Sequence, residues 1–131
     1  MAVTARPPTS FAELRSAFQA GDQPKCSLRG EIMPSPEWCR GYAESGLGCA
    51  VAEEGGQFYG AIVFKRNGQV EWLYCSLSKW RQAVSALLAY AKTESGGAAP
   101  FGRVENAQAR TLFANEPGLF AISGEDVRWR R

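Results

Sequence analysis

Residues 48–77 read GCAVAEEGGQFYGAIVFKRNGQVEWLYCSL, and this stretch decides the fold. It is rich in apolar, β-branched and aromatic residues, and the turn-forming sequences EGGQ and RNGQ divide it into three runs. Such runs, separated by glycine-containing turns, indicate antiparallel strands. The Asn-Gly pair within RNGQ favours a type I′ turn, because it accepts positive φ angles. We therefore predict a three-stranded meander with strands over 47–54, 58–66 and 70–77.

Two short helices are predicted before the meander. SFAELRSAFQAG has Ser10 as its cap, Glu13 at the capping-box position and Gly21 at its end. SPEWCRGYAESG shows the same punctuation, with Ser35 as the cap and Gly46 at the end. Both segments are therefore expected to pack as helices against the sheet that the meander begins.

After the meander the apolar residues change to helical spacing. WRQAVSALLAYAKTE predicts a helix over 80–94 with one apolar face. A strand, a helix and a strand or hairpin are then predicted at 101–105, 106–116 and 119–130. A strand, helix and strand in succession indicate one parallel pairing in an otherwise antiparallel sheet. The chain of 131 residues is thus expected to be one α+β domain, 1–131, with an irregular arm at 1–9 and a mixed, mostly antiparallel twisted sheet flanked by helices.

The composition excludes several kinds of catalytic site. The chain has no histidine, which excludes Ser-His-Asp and Cys-His catalysis and a histidine general base. The four cysteines are Cys26, Cys39, Cys49 and Cys75, and no two of them have C-x-x-C spacing. We therefore expect buried or partly buried thiols and no metal site.

Charge is unevenly distributed along the chain. Residues 1–60 carry 5 Lys/Arg and 7 Asp/Glu, whereas residues 61–131 carry 10 and 6. The basic half could attract phosphates or an acidic partner, or it could be an ordinary solvated surface. A net charge of only +2 argues against a nucleic-acid partner. No apolar run approaches the ~20 residues that cross a bilayer, and no secretory signal is evident, so we expect a cytoplasmic protein without a membrane span.

The order of elements resembles the GNAT superfamily, the acyl-CoA N-acyltransferases, over residues 47–128. The meander matches the second, third and fourth strands of that family. VENAQARTLFANEPGLF, residues 104–120, follows the family pattern V-x-x-x-N-x-x-A-x-x-[FL]-[YF]-x-x-x-G-F. Aligned on Asn106, the positions that match are Asn106, Ala109, Leu112 and Phe113; Val104 leads into the pattern, and Gly118 lies one residue beyond its glycine position. The first strand usual to the family is not evident in residues 1–34.

The resemblance implies an acetyl-CoA site between the fourth and fifth strands, which part into a V. The pyrophosphate would lie on backbone amides at the start of the helix after strand four, where the helix dipole favours an anion. The family's glycine loop is missing, because Gln82 and Val84 stand at its glycine positions. Lys79 and Arg81 could hold a phosphate by charge, or they could be solvated first-turn residues. The candidate cofactor-binding residues are Cys75, Lys79, Arg81, Gln82 and Asn106. The resemblance also implies that a backbone amide of strand four, near residues 74–76, would polarise the thioester carbonyl.

The resemblance also implies catalytic positions. Glu71 lies on strand four, where some members keep a general base; the alternative is a surface carboxylate on an alternating strand. Phe113 stands where many members have the tyrosine that protonates the CoA thiolate, and phenylalanine has no proton to give. A water molecule or one of three side chains could substitute for that tyrosine. The three side chains are Cys49, Tyr59 and Tyr74.

Two functions follow from this pattern. The missing glycines and tyrosine favour a non-catalytic binding or structural protein with a protein partner or its own oligomer, in which Trp72 and Trp80 could fill the V. Small GNAT-like proteins of short-tailed phages are similar in layout, which suggests a virion or accessory component of a phage. The alternative is an active, acetyl-CoA-dependent N-acetyltransferase with an atypical CoA site.

Overall fold

The computed structural model describes residues 2–19, 26–27, 37, 40–41, 44, 48–104 and 107–130. Within these ranges the strands are β1 (Thr4–Arg6), β2 (Cys26–Ser27), β3 (Cys49–Glu54), β4 (Gln57–Phe64), β5 (Val70–Cys75), β6 (Phe101–Arg103), β7 (Phe120–Ser123) and β8 (Asp126–Trp129). The helices are α1 (Phe11–Gln19), α2 (Trp80–Glu94) and α3 (Ala107–Ala114), and a 3₁₀ turn at Leu77–Lys79 leads into α2. The helix predicted over 35–46 falls outside the described residues, apart from residues 37, 40, 41 and 44.

The predicted meander is confirmed: β3, β4 and β5 pair antiparallel in sequence order. The turn between β4 and β5 is not type I′, however, because Gly68 has positive φ and Asn67 does not. The N–H of Gly68 donates to the Lys65 carbonyl at 3.0 Å, and that of Lys65 donates to the Gln69 carbonyl at 2.8 Å. A type I turn closed by a glycine bulge has this arrangement, and it satisfies the same sequence.

The prediction of an irregular arm over 1–9 is wrong, because β1 pairs antiparallel with β3. Arg6, in β1, forms ion pairs with Glu13 of α1 at 2.6 Å and with Glu53 of β3 at 3.0 Å. A strand of three residues is too short to show an alternating pattern, and its pairing depends on residues about 47 positions away. The sequence therefore carried no local signal for it.

Helices cover both faces of this sheet. On one face α2 buries Leu73 of β5 and Ile62 of β4 beneath Val84 and Leu87. On the other face α1 buries a separate cluster built on Phe18. Alternation along β5 divides its residues between the two faces, so that Leu73 and Cys75 face α2, whereas Trp72 and Tyr74 face α1.

A second sheet, of order β6-β8-β7, is antiparallel throughout. It contacts the first sheet through one parallel bridge between Gln69 and Phe101, immediately before β5 and at the start of β6. In the part of the chain that the structure describes, the predicted parallel pairing therefore exists at a single position. Beyond this bridge no parallel ladder joins β5 and β6 within the described residues, and we call the region between the two strands the wedge. The architecture is α+β, as expected from the sequence.

Candidate functional site

Residues of the chain itself pair with β5 at the end of the wedge away from the Gln69–Phe101 bridge. A strand has two hydrogen-bonding edges, and β4 occupies one edge of β5 from Val70 to Cys75. The other edge, which we call the outer edge, carries the Gln69–Phe101 bridge at its start and β2 at its end. In β2, Cys26 lies opposite Cys75 and Ser27 opposite Tyr74. Two residues from before the meander thus occupy the outer edge where β5 and β6 are no longer paired.

The backbone of Cys75 is directed into the wedge. The N–H of Ser76 donates to the Tyr59 carbonyl on β4 at 2.7 Å, so Ser76 uses the β4 edge. In an antiparallel ladder, successive residues direct their backbone groups to opposite edges. The N–H and C=O of Cys75 therefore point to the outer edge, where Cys26 is the residue opposite. This amide lies in the part of β5, residues 74–76, where the resemblance expects the group that polarises a thioester.

Aromatic side chains pack beside this closure. Phe113 of α3 is fully buried, and its ring meets Trp80 edge-on at 5.9 Å and Phe120 at 4.5 Å between centroids. α3 also contacts β2 and β7. The position that would hold a catalytic tyrosine is therefore a core position. Trp80 joins this packing, whereas Trp72 lies on the opposite face of the sheet, so the two tryptophans do not share a site.

At the start of α2, Lys79 is engaged by a carboxylate. Its ammonium lies 2.8 Å from Glu54 at the end of β3 and 5.2 Å from the centre of the Tyr59 ring. The hydrogen bond to Glu54 raises the pKa of Lys79 above its usual value. Charge that would attract a phosphate is thus balanced locally by Glu54.

The remaining candidate cofactor residues do not gather at one point. Arg81 is exposed and forms an ion pair with Glu116, just after α3. Gln82 is exposed and lines a groove of about 520 Å³ together with Lys79 and Glu54. Val84 is fully buried in the α2 face of the core. Asn106 lies outside the described residues.

Glu71 is a buried carboxylate, not a surface one. It is 5% exposed and forms an ion pair with the Lys65 ammonium at 3.2 Å. The register steps from Val63–Trp72 to Phe64–Val70, so Glu71 is the extra residue of a β-bulge. At about 3.3 Å per residue, Glu71 lies roughly 13 Å along β5 from Cys75. The candidate base and the candidate thioester edge are therefore at opposite ends of the strand.

The structure brings together only part of the predicted site. Lys79 and Gln82 share one groove, Arg81 forms an ion pair with Glu116 just after α3, and the backbone of Cys75 pairs with β2. The residues that sequence reasoning missed are the partners: Glu54, Glu116 and β2. None has a local signal, because each partner is distant in sequence from the residue it engages. Cys49 and Cys75 are buried thiols, as expected.

Two features are absent from the described residues. No group of three or more Asp, Glu, Cys or His side chains among them is arranged to hold a metal ion. None of the helices in that part of the chain has the length and apolar character needed to cross a bilayer.

Comparison with known proteins supports the fold. The crystal structure of PH1933 from Pyrococcus horikoshii OT3 matches with a TM-score of 0.51, over 96% of this chain and 95% of that chain. The two sequences are 16% identical, so the likeness concerns the fold alone. No protein-family model matches the chain, and no curated protein matches it.

Proposed function

We propose that this chain is a non-catalytic binding or structural protein on a scaffold related to the acyl-CoA N-acyltransferases, such as a virion or accessory component of a phage. The observation that carries the proposal is the pairing of β2 with Tyr74 and Cys75 on the outer edge of β5. An acyl-CoA molecule lying in the wedge would compete with this pairing. Fold alone does not fix function, so the contents of the wedge decide between a binding protein and an enzyme.

Two further observations support the same proposal. Phe113 is fully buried between two aromatic rings, and it offers no proton for a leaving thiolate. Lys79 and Arg81 are each paired with a carboxylate, on opposite sides of the start of α2. A phosphate bound there would have to displace both carboxylates, and the surrounding backbone lacks the glycines that admit a close phosphate.

The proposed partner is another protein or a second copy of this chain. The basic half of the sequence, residues 61–131, supports an acidic protein surface as the partner chemistry. A non-catalytic protein of this kind would bind its partner through its outer surface and would need no open cleft for a cofactor.

A working N-acetyltransferase is the second candidate, and one observation favours it. Gln69 and Phe101 form a parallel bridge where β5 and β6 begin, and the two strands then belong to separate sheets, which is the layout that a V between them would require. Displacement of two residues would expose the Cys75 amide. In an active acetyltransferase, Lys79 and Arg81 would bind CoA phosphates in place of the carboxylates with which they now form ion pairs.

Isothermal titration with acetyl-CoA separates the two candidates. The non-catalytic proposal predicts no heat of binding at millimolar acetyl-CoA. Micromolar binding that is abolished by Lys79→Ala with Arg81→Ala would overturn it in favour of the acetyltransferase. The matched control is Arg15→Ala with Arg66→Ala, which removes two exposed arginines outside the site. If both double variants weaken binding equally, the effect is general electrostatic attraction and the acetyltransferase site is also rejected.

A further inference from the structure

The second sheet has one face in the core and one face that carries arginines. Val127 and Trp129 of β8 are buried in the core, so alternation along the strand directs Asp126 and Arg128 to the opposite face. A groove of about 540 Å³ runs over this face, and we call it the arginine groove. Its lining includes Phe101, Arg103, Ala121, Ser123, Asp126 and Arg128.

Backbone pairing places Arg128 over an aromatic ring. The N–H of Trp129 donates to the Pro100 carbonyl at 3.0 Å, so the preceding residue, Arg128, directs its backbone groups away from β6. Phe101 and Arg128 are therefore a non-hydrogen-bonded pair, the type in which opposite side chains lie closer together. The Arg128 guanidinium carbon lies 5.3 Å from the centre of the Phe101 ring. This cation–π contact fixes the position of the charge within the groove.

Both arginines are available to a carboxylate from another molecule. Arg103 forms an ion pair with Glu125 in the turn before β8, and the two side chains are 64% and 48% exposed. Ion pairs this exposed contribute little to stability, so an incoming carboxylate can replace Glu125. Arg128 is exposed, and no carboxylate among the described residues forms an ion pair with it. The groove therefore offers two guanidinium groups that suit carboxylates.

The spacing of the two arginines matches an extended peptide. Arg103 lies opposite Asp126, and Arg128 is two residues farther along β8. Diagonal neighbours of this kind are about 7–8 Å apart. In an extended chain, every second side chain points the same way, and these positions are about 7 Å apart. Two acidic residues separated by one residue would therefore face both arginines at once.

We propose that the arginine groove binds an extended segment of a different protein in which acidic residues occupy alternate positions. The proposal rests on the proposed function as a binding protein and identifies its partner chemistry. A second copy of the chain does not fit, because its sequence nowhere has two acidic residues separated by one residue. A nucleic acid fits less well, since Glu125 and Asp126 at one end of the groove would repel a phosphate backbone.

NMR titration of the full, isotope-labelled chain tests the groove. The probe is the capped peptide Gly-Ser-Glu-Val-Glu-Ser-Gly, and the control peptide, Gly-Ser-Val-Glu-Glu-Ser-Gly, has the same composition with adjacent glutamates. The alternating peptide should shift amide signals of β6 and β8 and bind at least about fivefold more tightly than the control peptide.

Paired substitutions locate the binding to the two arginines. Arg103→Ala with Arg128→Ala should weaken binding of the alternating peptide by about tenfold or more. The matched control is Arg15→Ala with Arg40→Ala, which removes two exposed arginines outside the groove. Arg40 also lies over a ring, 5.3 Å from the centre of Phe11, so the control removes a cation–π contact of the same length. This control should leave the affinity unchanged.

Four results would overturn the proposal. The first is no shift of β6 and β8 signals at about 10 mM peptide, and the second is equal weakening by both double variants, which indicates general attraction. The third is tighter binding of an oligothymidylate to the same residues, which would make a nucleic acid the ligand. The fourth is a concentration-dependent shift of these signals without peptide, which would make a second copy the occupant.

Failure here differs from failure of the proposed function. Binding of acetyl-CoA that depends on Lys79 and Arg81 would overturn the proposed function and leave the peptide result standing. Absence of both acetyl-CoA and peptide binding would remove the arginine groove alone.

Discussion

The two edges of β5 are built in different ways. On the inner edge β4 pairs with β5 through five register positions, after a short turn between neighbours in sequence. On the outer edge β5 meets one bridge from Phe101 and two residues of β2, about 49 positions away in sequence. A short turn between strands adjacent in sequence determines the pairing on the inner edge. Contacts with segments that are distant in sequence determine the pairing on the outer edge. The inner edge therefore defines the fold, and the outer edge decides what the fold can bind.

The largest expected effect belongs to the inner edge. A Cβ at Gly60 would lie 2.3 Å from the Tyr74 carbonyl oxygen, which is backbone and has little freedom to move. Gly60→Ala should therefore lower the free energy of unfolding by about 3 kcal/mol or more. Urea denaturation measures this.

Gly118→Ala is the matched control for Gly60→Ala. A Cβ at Gly118 would meet no atom within 4 Å, and Gly118 does not have positive φ. Its substitution should change the free energy of unfolding by less than about 0.5 kcal/mol. If the two substitutions lowered the free energy of unfolding equally, the close approach of β4 and β5 at Gly60 would not constrain the inner edge, contrary to the contrast drawn between the two edges.

A smaller effect is expected where α3 packs beside the outer edge. Phe113→Tyr restores the hydroxyl that the GNAT resemblance expects, but it places that hydroxyl in a fully buried site. The cost should be about 2 kcal/mol in urea denaturation, because a buried hydroxyl loses its water partners. No acetyl transfer to amines should appear. Phe58→Tyr, at a partly buried ring, is the control and should be nearly neutral.

If Phe113→Tyr left stability unchanged and produced CoA release from acetyl-CoA, position 113 would be an eroded catalytic position facing an open site. That outcome would reverse the ranking of the two functional candidates.

The smallest effect is expected at the opposite edge of the same sheet, where β1 pairs with a strand that is distant from it in sequence. Hydrogen bonds from Arg6 lower the pKa of Glu13 to about 2. Because the folded-state pKa lies below the unfolded value, the stabilisation is complete above about pH 4.5 and is lost as pH falls toward 2. After allowance for solvent screening, about 1 kcal/mol should disappear over this window.

Chemical denaturation between pH 5 and 2 measures the contribution of Glu13, and Glu13→Gln should flatten its part of the profile. An unchanged profile in Glu13→Gln would show that backbone pairing alone holds β1, as it holds β2. Both edge strands of the sheet, β1 and β2, would then be held in the same way.

Much of the inner region could be predicted from the sequence. The bounds of α2 follow from apolar spacing over 80–94, and the meander follows from β-branched runs and glycine turns. The Ser10 cap could also be predicted from the sequence, since the Ser10 hydroxyl accepts a hydrogen bond from the Glu13 N–H at 3.2 Å. The Glu13 carboxylate, however, accepts from Thr9, one residue earlier than a capping box requires.

The outer region could not be predicted, for a physical reason. β1 and β2 are three and two residues long, so neither shows periodicity, and both are defined by backbone pairing with distant strands. A regularly alternating strand would place Glu71 at the surface. The β-bulge, which buries Glu71, has no signal in the sequence pattern. The carboxylates opposite Lys79 and Arg81 lie 25 and 35 residues away.

Hydrogen exchange at the Cys75 amide, measured by NMR in the reduced protein with and without acetyl-CoA, tests the central claim most directly. If β2 closes the outer edge of β5, this amide should exchange at least about a hundredfold more slowly than in an unfolded chain, and acetyl-CoA should not change its rate. Exchange near the unfolded rate, slowed only when acetyl-CoA is added, would show an open wedge that binds the cofactor, and it would contradict the account.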